Sequence, residues 1–406
     1  MAKIAVLGYG TVGSGVVEVL ETNKDSIKKR AGKEIEVKKV LDLRDFPGDP
    51  IQEKIVHDIK EIIEDEEIEV VVEVMGGVEP AFTFVKQALE AGKSVCTSNK
   101  ALVAAHGAEL LEIAKAKSLN FMFEASVGGG IPIIRPLNQS LTADEITKIT
   151  GILNGTTNYI LTKMSREGSD YDETLKEAQK LGYAERNPEA DVEGFDACRK
   201  IAILTSLAYG STVNFEDIRC EGISNITTVE FKYAEALGCA VKLLATSYRK
   251  DGKVYAITAP FMISNEHPLY NVNDVLNGIF INGNVIGNVM FFGAGAGKLP
   301  TASAVVADVV DCVKHKGKNV MTVWSSEKLS LGDADDEVWR FFARVKDEDD
   351  ARVKVRDAFA EAKIVEIAET SGEFGIVTEA MSEAEFKAKT EGLNLINRLR
   401  IDDTQL

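Results

Sequence analysis

The sequence predicts an α/β chain built on a doubly wound parallel sheet, followed by an α+β domain and a small ferredoxin-like tail. Three observations predict it. A glycine-rich turn, GYGTVG at Gly8–Gly13, directly follows the β-rich run KIAVLG. Near-continuously apolar runs of strand length alternate with helical patterns over the first third, as buried parallel strands require. The residues from about 336 read in the order β-α-β-β-α-β, the ferredoxin-like pattern.

Taken in order, Lys3–Gly8 is the first strand and the residues to about Thr22 a helix. EIEVKKVLD at Glu34–Asp42 is the second strand, and EVVVEVMG at Glu69–Gly76 a central one. Glu79 and Pro80 open a helix, since proline suits the first helical position, and Gly92 stops it. SVCTSN and NFMFEAS repeat the strand signal before a triple glycine, Gly128–Gly130, breaks the rhythm. ITKITGILNG is then a strand, with a helix from Thr157, a turn-rich acidic loop from Gly182 to Gly194, and an apolar helix, FDACRKIAILTSLAY. Antiparallel strands follow near Val254–Ile263 and Gly278–Phe292, and GAGAGKLPTAS returns the chain to a helix, Ala302–Lys314. In the tail, WRFFARV, IVEIAET, GIVTEAM and NRLRI are strands, and SEAEFKAKTEGL is a helix with a serine cap. The expected units are residues 1–127 with 300–320, residues 128–299, and a separate module over 336–406.

With 406 residues, 45% hydrophobic and 27% charged, the chain has the profile of a soluble globular protein of two or three domains. Its apolar runs are too short to span a bilayer, and its first residues form a strand rather than a secretory signal. The formal charge of −17 disfavours nucleic acid and anionic lipid as partners. Five scattered cysteines, with no metal-type spacing, read as free thiols in a reducing cytoplasm, and four scattered histidines argue against a histidine-rich metal site.

Four motifs carry chemistry. In GYGTVG, Gly8 permits the tight turn, Gly10 lets the backbone approach a pyrophosphate, and Gly13 lets the helix pack on the strand, as in a Rossmann-type dinucleotide site. After the second strand, Asp42 suits a ribose 2′-hydroxyl and so NAD, whereas Arg44 suits a 2′-phosphate and so NADP; a solvated surface arginine is the plain alternative. TSNKAL at Thr97–Leu102 sits on the ligand edge of the sheet, where Lys100 is placed either to bind a carboxylate or alkoxide or simply to open the next helix in water. GYAERNPEADVEGFDACRK, Gly182 to Lys200, gathers Glu185, Glu189, Asp191, Glu193 and Asp196. Clustered carboxylates suit a substrate ammonium. Asp196 and Lys200, four apart on one helix face, are either a proton relay or an ordinary surface salt bridge.

The ordered set of GYGTVG, VMGG, TSNKAL, FEASVGGGIPII, GILNGTTNYIL, GYAERNPEADVEGFDACRK and FFGAGAGKLPTASAVVADV closely resembles homoserine dehydrogenase, over nearly the whole chain to about residue 320. The resemblance implies a cytoplasmic oxidoreductase of threonine and methionine biosynthesis, on the aspartate pathway. It would interconvert L-homoserine and L-aspartate 4-semialdehyde with NADP preferred and NAD as the alternative, as a homodimer or homotetramer. It implies that Gly10, Thr11, Val12 and Gly13 form the pyrophosphate loop, that Arg44 selects NADP, and that Ser98 and Lys100 contact cofactor and substrate. It further implies that Glu185 and Asp196 hold homoserine, with Asp191 in the same acidic cluster, that Lys200 donates and accepts the proton, and that Gly182 and Gly297 approach the nicotinamide end. Glu124, Val127, Gly129 and Ile131 match a monovalent cation site, for Na⁺ or K⁺, built mainly from backbone carbonyls. The glycine loop begins at residue 8, so no fused aspartate kinase domain is expected.

The tail resembles an ACT domain, an effector-binding module of amino-acid enzymes. It departs from that pattern in DEDDARVKV, which has no Gly or Pro where the family turns toward a ligand. Two rival readings are another NAD(P)-dependent amino-acid or semialdehyde dehydrogenase and a nucleotide-sensing regulator. The first, in its catalytic-thiol form, lacks a well-placed cysteine; the second does not need Lys100 and Lys200 together.

Overall fold

A strand covered on both faces must be largely apolar, and Ala2–Leu7 and Ile68–Glu73 have five of six residues buried in each, the one buried charge being Glu73 at the end of the second. The computed structural model describes residues 1–368 and 370–402. These two strands are the centre of a six-stranded sheet. Its spatial order is Ile55–Val56, Ile35–Leu41, Ala2–Leu7, Ile68–Glu73, Ser94–Thr97, Phe121–Met122, and every pair is parallel. The order is therefore 3-2-1-4-5-6. The chain departs in opposite directions from the two central strands, which leaves a crevice beyond their carboxyl ends.

The return to this sheet is made by the helix Lys298–Lys314, one turn earlier than expected. Gly297 caps it, and Pro300 is tolerated because first-turn amides have no intrahelical partner. This helix lies directly on the glycine-loop helix, Thr11–Thr22. A Cβ on Gly15 would stand 2.9 Å from the Lys298 carbonyl oxygen, and Val16, Val17 and Leu20 share one core with Val305, Val306 and Val309.

The second sheet runs Gly287–Ala294, Leu276–Gly283, Ile146–Ile152, Cys239–Lys250, Lys253–Ser264, Leu395–Asp402, Val338–Lys346, Glu373–Val377, Lys363–Val365 along its main path. Its last four strands belong to the tail and take the ferredoxin-like order. The tail does not stand apart from the second sheet, because Leu395–Asp402 pairs in parallel with Lys253–Ser264. Buried charge fastens the join. Arg400, 0% exposed, donates to Glu221 (2.8 and 2.7 Å) and to Glu383. Arg344 donates to Glu373 (2.9 and 2.6 Å) and Glu230. Sequence periodicity does not reveal such a join, because a strand's second neighbour leaves no mark in its own alternation. The strand expected through IVEIAET spans only Lys363–Val365; Glu369 and residues 403–406, inside the expected 336–406 unit, lie outside the described residues.

The two sheets are bridged by the helix Phe195–Tyr209. Its Ala197, Ile201 and Leu204 share a core with Val95, Leu102 and Leu110 of the first sheet's side and with Ile149 and Ile279 of the second. Apolar residues on three faces of this helix explain its near-complete burial, and its first turn is thereby held against the carboxyl edge of the parallel sheet.

Candidate active site

At the crevice, the glycine loop is shaped for close approach. A Cβ on Gly13 would stand 1.9 Å from the Gly8 carbonyl oxygen, so only glycine lets helix and strand meet, whereas Gly10 opens on free space. The helix Thr11–Thr22 is capped by Gly10 without a side-chain hydrogen bond, and its first turn carries no acid. Its first amides, from Thr11, Val12 and Gly13, have no intrahelical partner and stand at the positive end of the helix dipole, an arrangement suited to an anion. An adjoining cavity of about 570 Å³ is lined by Gly8, Gly10, Asp42, Arg44, Met75 and Gly76 among others, a volume suited to a bound small molecule. These residues fit a dinucleotide.

Asp42 and Arg44 turn out to be partners rather than alternatives. Arg44 donates from Nε and Nη2 to the two Asp42 oxygens, each at 3.0 Å, and the same carboxylate accepts from the Tyr9 amide at 2.8 Å. The Arg44 guanidinium, chiefly, holds the Asp42 carboxyl well below the usual carboxylate range. Arg44 is 63% exposed and lies 5.1 Å over the Phe46 ring, so it can turn toward a ligand at small cost.

At the far end of the crevice, Asn99 caps the helix Lys100–Ala116 by accepting from the Leu102 amide (3.2 Å), which sets Lys100 as its first residue. Lys100 ion-pairs with Asp196 Oδ1, and Lys200 reaches Asp196 Oδ2 at 2.8 Å. The two lysines, a hundred residues apart, thus share one carboxylate that is 3% exposed. Lys200 also donates to the Leu153 carbonyl at 2.7 Å. Burial pulls the Lys200 ammonium below the ordinary lysine range, and Asp196 only partly offsets this. Burial acts on Lys100 in the same direction, but Asp196 outweighs it and holds Lys100 above its ordinary value. Burial would raise the Asp196 carboxyl; Lys200 and Lys100 overcome it and keep the group ionised.

Asn154 was not singled out by the sequence reading. Its Oδ1 caps the helix Gly155–Glu167 through the Thr157 amide (2.9 Å), while Nδ2 donates to Asp191 (2.7 Å) and Asp196 (2.9 Å). The available signal was an asparagine just before a helix start, in GILNGTTNYIL. Burial and the neighbouring Asp196 push the Asp191 carboxyl up. So the structure brings together Lys100, Lys200, Asp196 and Asp191. It does not join Glu185 to them: Glu185 is exposed, on the loop where Gln179 Nε2 donates to its carbonyl (3.0 Å). Gly182 is exposed at the end of the helix Tyr171–Lys180, and Gly297 begins the return helix. Ser98 lies between the Ser94–Thr97 strand and Lys100, its amide 3.4 Å from the Glu73 carbonyl.

Glu124, Val127, Gly129 and Ile131 are all buried around one turn. That turn is pinned backbone to backbone, since a Cβ on Gly129 would stand 2.2 Å from the Gly295 carbonyl oxygen. The Glu124 carboxylate accepts from the amides of Ile133, Ile134 and Arg135 at 2.6, 2.8 and 2.8 Å, so what this residue has left for a cation is its carbonyl. Among the described residues, no group of three or more His, Cys, Asp and Glu side chains is placed to hold a metal ion, and no helix is long and apolar enough to cross a membrane.

A dinucleotide crevice ending at a lysine–carboxylate–lysine cluster defines a nicotinamide-dependent oxidoreductase acting on a small polar substrate. Residues 8–124 match the model of the homoserine dehydrogenase NAD-binding domain and residues 132–310 that of homoserine dehydrogenase. The chain belongs to the homoserine dehydrogenase family. It is 39% identical to the homoserine dehydrogenase of Bacillus subtilis, over 97% of this chain and 94% of that protein. It superposes on the crystal structure of a homoserine dehydrogenase from Thiobacillus denitrificans with a TM-score of 0.92 at 33% identity, covering 99% and 98% of the two chains. A hyperthermophilic archaeal homoserine dehydrogenase in complex with NADPH matches with a TM-score of 0.66 at 30% identity, covering 77% of this chain and 97% of that one.

Proposed function

We propose that this enzyme oxidises L-homoserine to L-aspartate 4-semialdehyde, and runs the reverse reduction, with NADP preferred over NAD, in the cytoplasm as a step toward threonine and methionine. The observation that carries the reading is the sharing of Asp196 by Lys100 and Lys200 across the crevice. A bound nicotinamide supplies the hydride acceptor. In the oxidation, Lys200 in its neutral form takes the proton from the substrate hydroxyl, and the bond between C4 and its hydrogen gives up the hydride. In the reduction, the Lys200 ammonium returns that proton to the forming alkoxide. Lys100 supplies positive charge for the carboxylate or the developing alkoxide, and Asp191 and Asp196 supply negative charge for the ammonium; Glu185, exposed on its loop, is assigned to the ammonium by the family resemblance alone. Gly182, Ser98 and Gly297 border the nicotinamide end in this reading. Glu124, Val127, Gly129 and Ile131 offer carbonyls to Na⁺ or K⁺, hard cations that suit oxygen donors, and a homodimer or homotetramer is the working assembly. The test is a spectrophotometric assay of purified protein with L-homoserine and each nicotinamide nucleotide. No absorbance rise near the reduced-nicotinamide band with homoserine, together with a rise on another hydroxy amino acid, would overturn the reading.

Cofactor choice follows from Arg44. A guanidinium gains charge-assisted hydrogen bonds from a 2′-phosphate and nothing comparable from a hydroxyl. Arg44→Ala is expected to weaken NADP⁺ binding on the order of 10- to 100-fold while changing NAD⁺ little. Equal losses for both nucleotides in fluorescence titrations would show that Arg44 is not the selector.

The tail, which we read as ACT-like, is expected not to act as a strong threonine switch. Its first helix, Ala351–Ala358, is entered through Asp350 at φ +67°, and Arg352 is committed to Asp347 (3.0 and 2.7 Å) and Glu366 (2.6 Å). The carboxylates of Asp347, Glu348, Asp349 and Asp350 repel that of an amino acid. Threonine titrated into the full chain is expected to leave activity unchanged at submillimolar concentration; inhibition there would overturn this. The full chain is the proper test, since removing the tail would strip Lys253–Ser264 of a paired strand.

A further inference from the structure

The geometry points to Glu73 as a positioning residue that holds the cofactor turn and the Lys100 helix in one register. Glu73 ends the central Ile68–Glu73 strand and is 0% exposed. A carboxylate so placed has to be fully hydrogen-bonded, and its donors come from two different segments. From its own segment, the amides of Met75 (2.8 Å) and Gly76 (3.4 Å) reach Oε1, and both residues line the cofactor cavity. From the neighbouring strand, the Thr97 hydroxyl donates to Oε2 at 2.6 Å. That hydroxyl in turn accepts from the Asn99 amide at 2.9 Å. The Asn99 side chain lies 3.5 Å from Glu73 Oε1 and donates to the Gly77 carbonyl at 2.6 Å.

Asn99 is the cap that starts the helix at Lys100. One buried carboxylate therefore fixes both a turn that lines the cofactor cavity and the entry angle of the helix that presents Lys100 to Asp196. Neither segment supplies this rigidity alone. The turn carries Gly76 and Gly77, both at positive φ, and a glycine turn is the most easily deformed backbone there is. Removing Glu73 would leave the Met75 and Gly76 amides and the Thr97 hydroxyl without their acceptor. The consequence for catalysis rests on the proposed role of Lys100; the consequence for the cofactor turn does not.

The test uses Glu73→Ala, Glu73→Gln and Lys100→Ala, alone and with Glu73→Ala. A displacement of the order of an ångström at a reacting group costs about 100-fold, so Glu73→Ala is expected to lower kcat about 100-fold with homoserine. Glu73→Gln, which keeps size and one acceptor, is expected to lose on the order of 10-fold. Both are expected to weaken NADPH binding in fluorescence titration, and the double variant is expected to be no slower than Lys100→Ala. If Glu73→Ala fails to fold, Glu73→Gln decides alone. Wild-type kcat, KM and NADPH affinity in a folded Glu73 variant would overturn the inference, as would losses that multiply with those of Lys100→Ala. Failure of the functional reading looks different: Lys100→Ala would then turn over homoserine normally, while the NADPH effect of the Glu73 variants would persist.

Discussion

Replacing Lys200 by alanine is expected to lower kcat for homoserine oxidation by about 10³-fold, within the range for loss of a positioned acid–base group, while NADPH binding stays nearly intact. Lys200 is 8% exposed, and two of its three donor positions are occupied by Asp196 and the Leu153 carbonyl. The remaining position is available to a substrate hydroxyl. Burial holds its ammonium below the ordinary range, so a useful neutral fraction exists at lower pH than for a solvated lysine, and a base matched to the working pH is the effective one. The sign follows: kcat/KM for oxidation rises with pH as Lys200 loses its proton and falls on the acid side. Lys200→Arg separates charge from proton transfer. A guanidinium keeps the charge but cannot release a proton in a protein, so arginine is expected to rescue substrate affinity without kcat. Near wild-type kcat in Lys200→Ala would remove Lys200 from the chemistry. Lys200 does not line the cavity beside the glycine loop, which is why binding of the nucleotide serves as the control for folding.

The sheet and half of the site were legible in the sequence for identifiable reasons. GYGTVG is read from steric need, and the 1.9 Å approach of a Cβ on Gly13 to the Gly8 carbonyl is that need made visible. Asp196 and Lys200 are read from a spacing of four, which places them on one helix face, and they do pair. The convergence of Lys100 on the same carboxylate was not legible in spacing, because it depends on how the Phe195–Tyr209 helix packs on the Leu102 and Leu110 side of the parallel sheet. The resemblance placed Lys100 and Asp196 around one substrate but did not pair them; the pairing is seen only in the fold. Asn154 escaped for a different reason: an asparagine that caps a helix has its role satisfied by that alone, and its second use, on Asp191 and Asp196, exists only in three dimensions. Arg44 shows the limit of reading residues singly. Asp42 and Arg44 favour different nucleotides when taken one at a time, and in the fold they are one ion pair. The tail was patterned correctly as strands and helices, yet its join to Lys253–Ser264 rests on Arg400, Glu221 and Glu383, charged residues that composition assigns to the surface.

Asp196→Asn is the substitution expected to disturb the site most broadly, because one carboxylate organises two lysines. Asparagine keeps the shape and the neighbour Asn154 but removes the charge. Lys100 is 43% exposed and can turn to water; Lys200, with a side chain 10% exposed, cannot. Breaking one partner out of a buried pair costs on the order of 3–5 kcal/mol when the other stays charged. The lysine has a second course, which is to give up its proton. Asp196 is the group that offsets burial at Lys200, so its loss drives the Lys200 value further down. The folded state then binds fewer protons than the unfolded state over the neutral range, and stability rises with pH wherever that holds. The variant should accordingly be least stable at acid pH and recover toward the wild type as the pH approaches the ordinary lysine range. In kinetics the same shift moves the acid limb of kcat/KM for oxidation to lower pH, on top of a loss of about 100-fold or more from misplaced substrate and lysines. Thermal melts at several pH values and one pH–rate profile check both statements. An acid limb that moves upward, or a destabilisation that grows with pH, would mean that Asp196 does not hold the Lys200 proton.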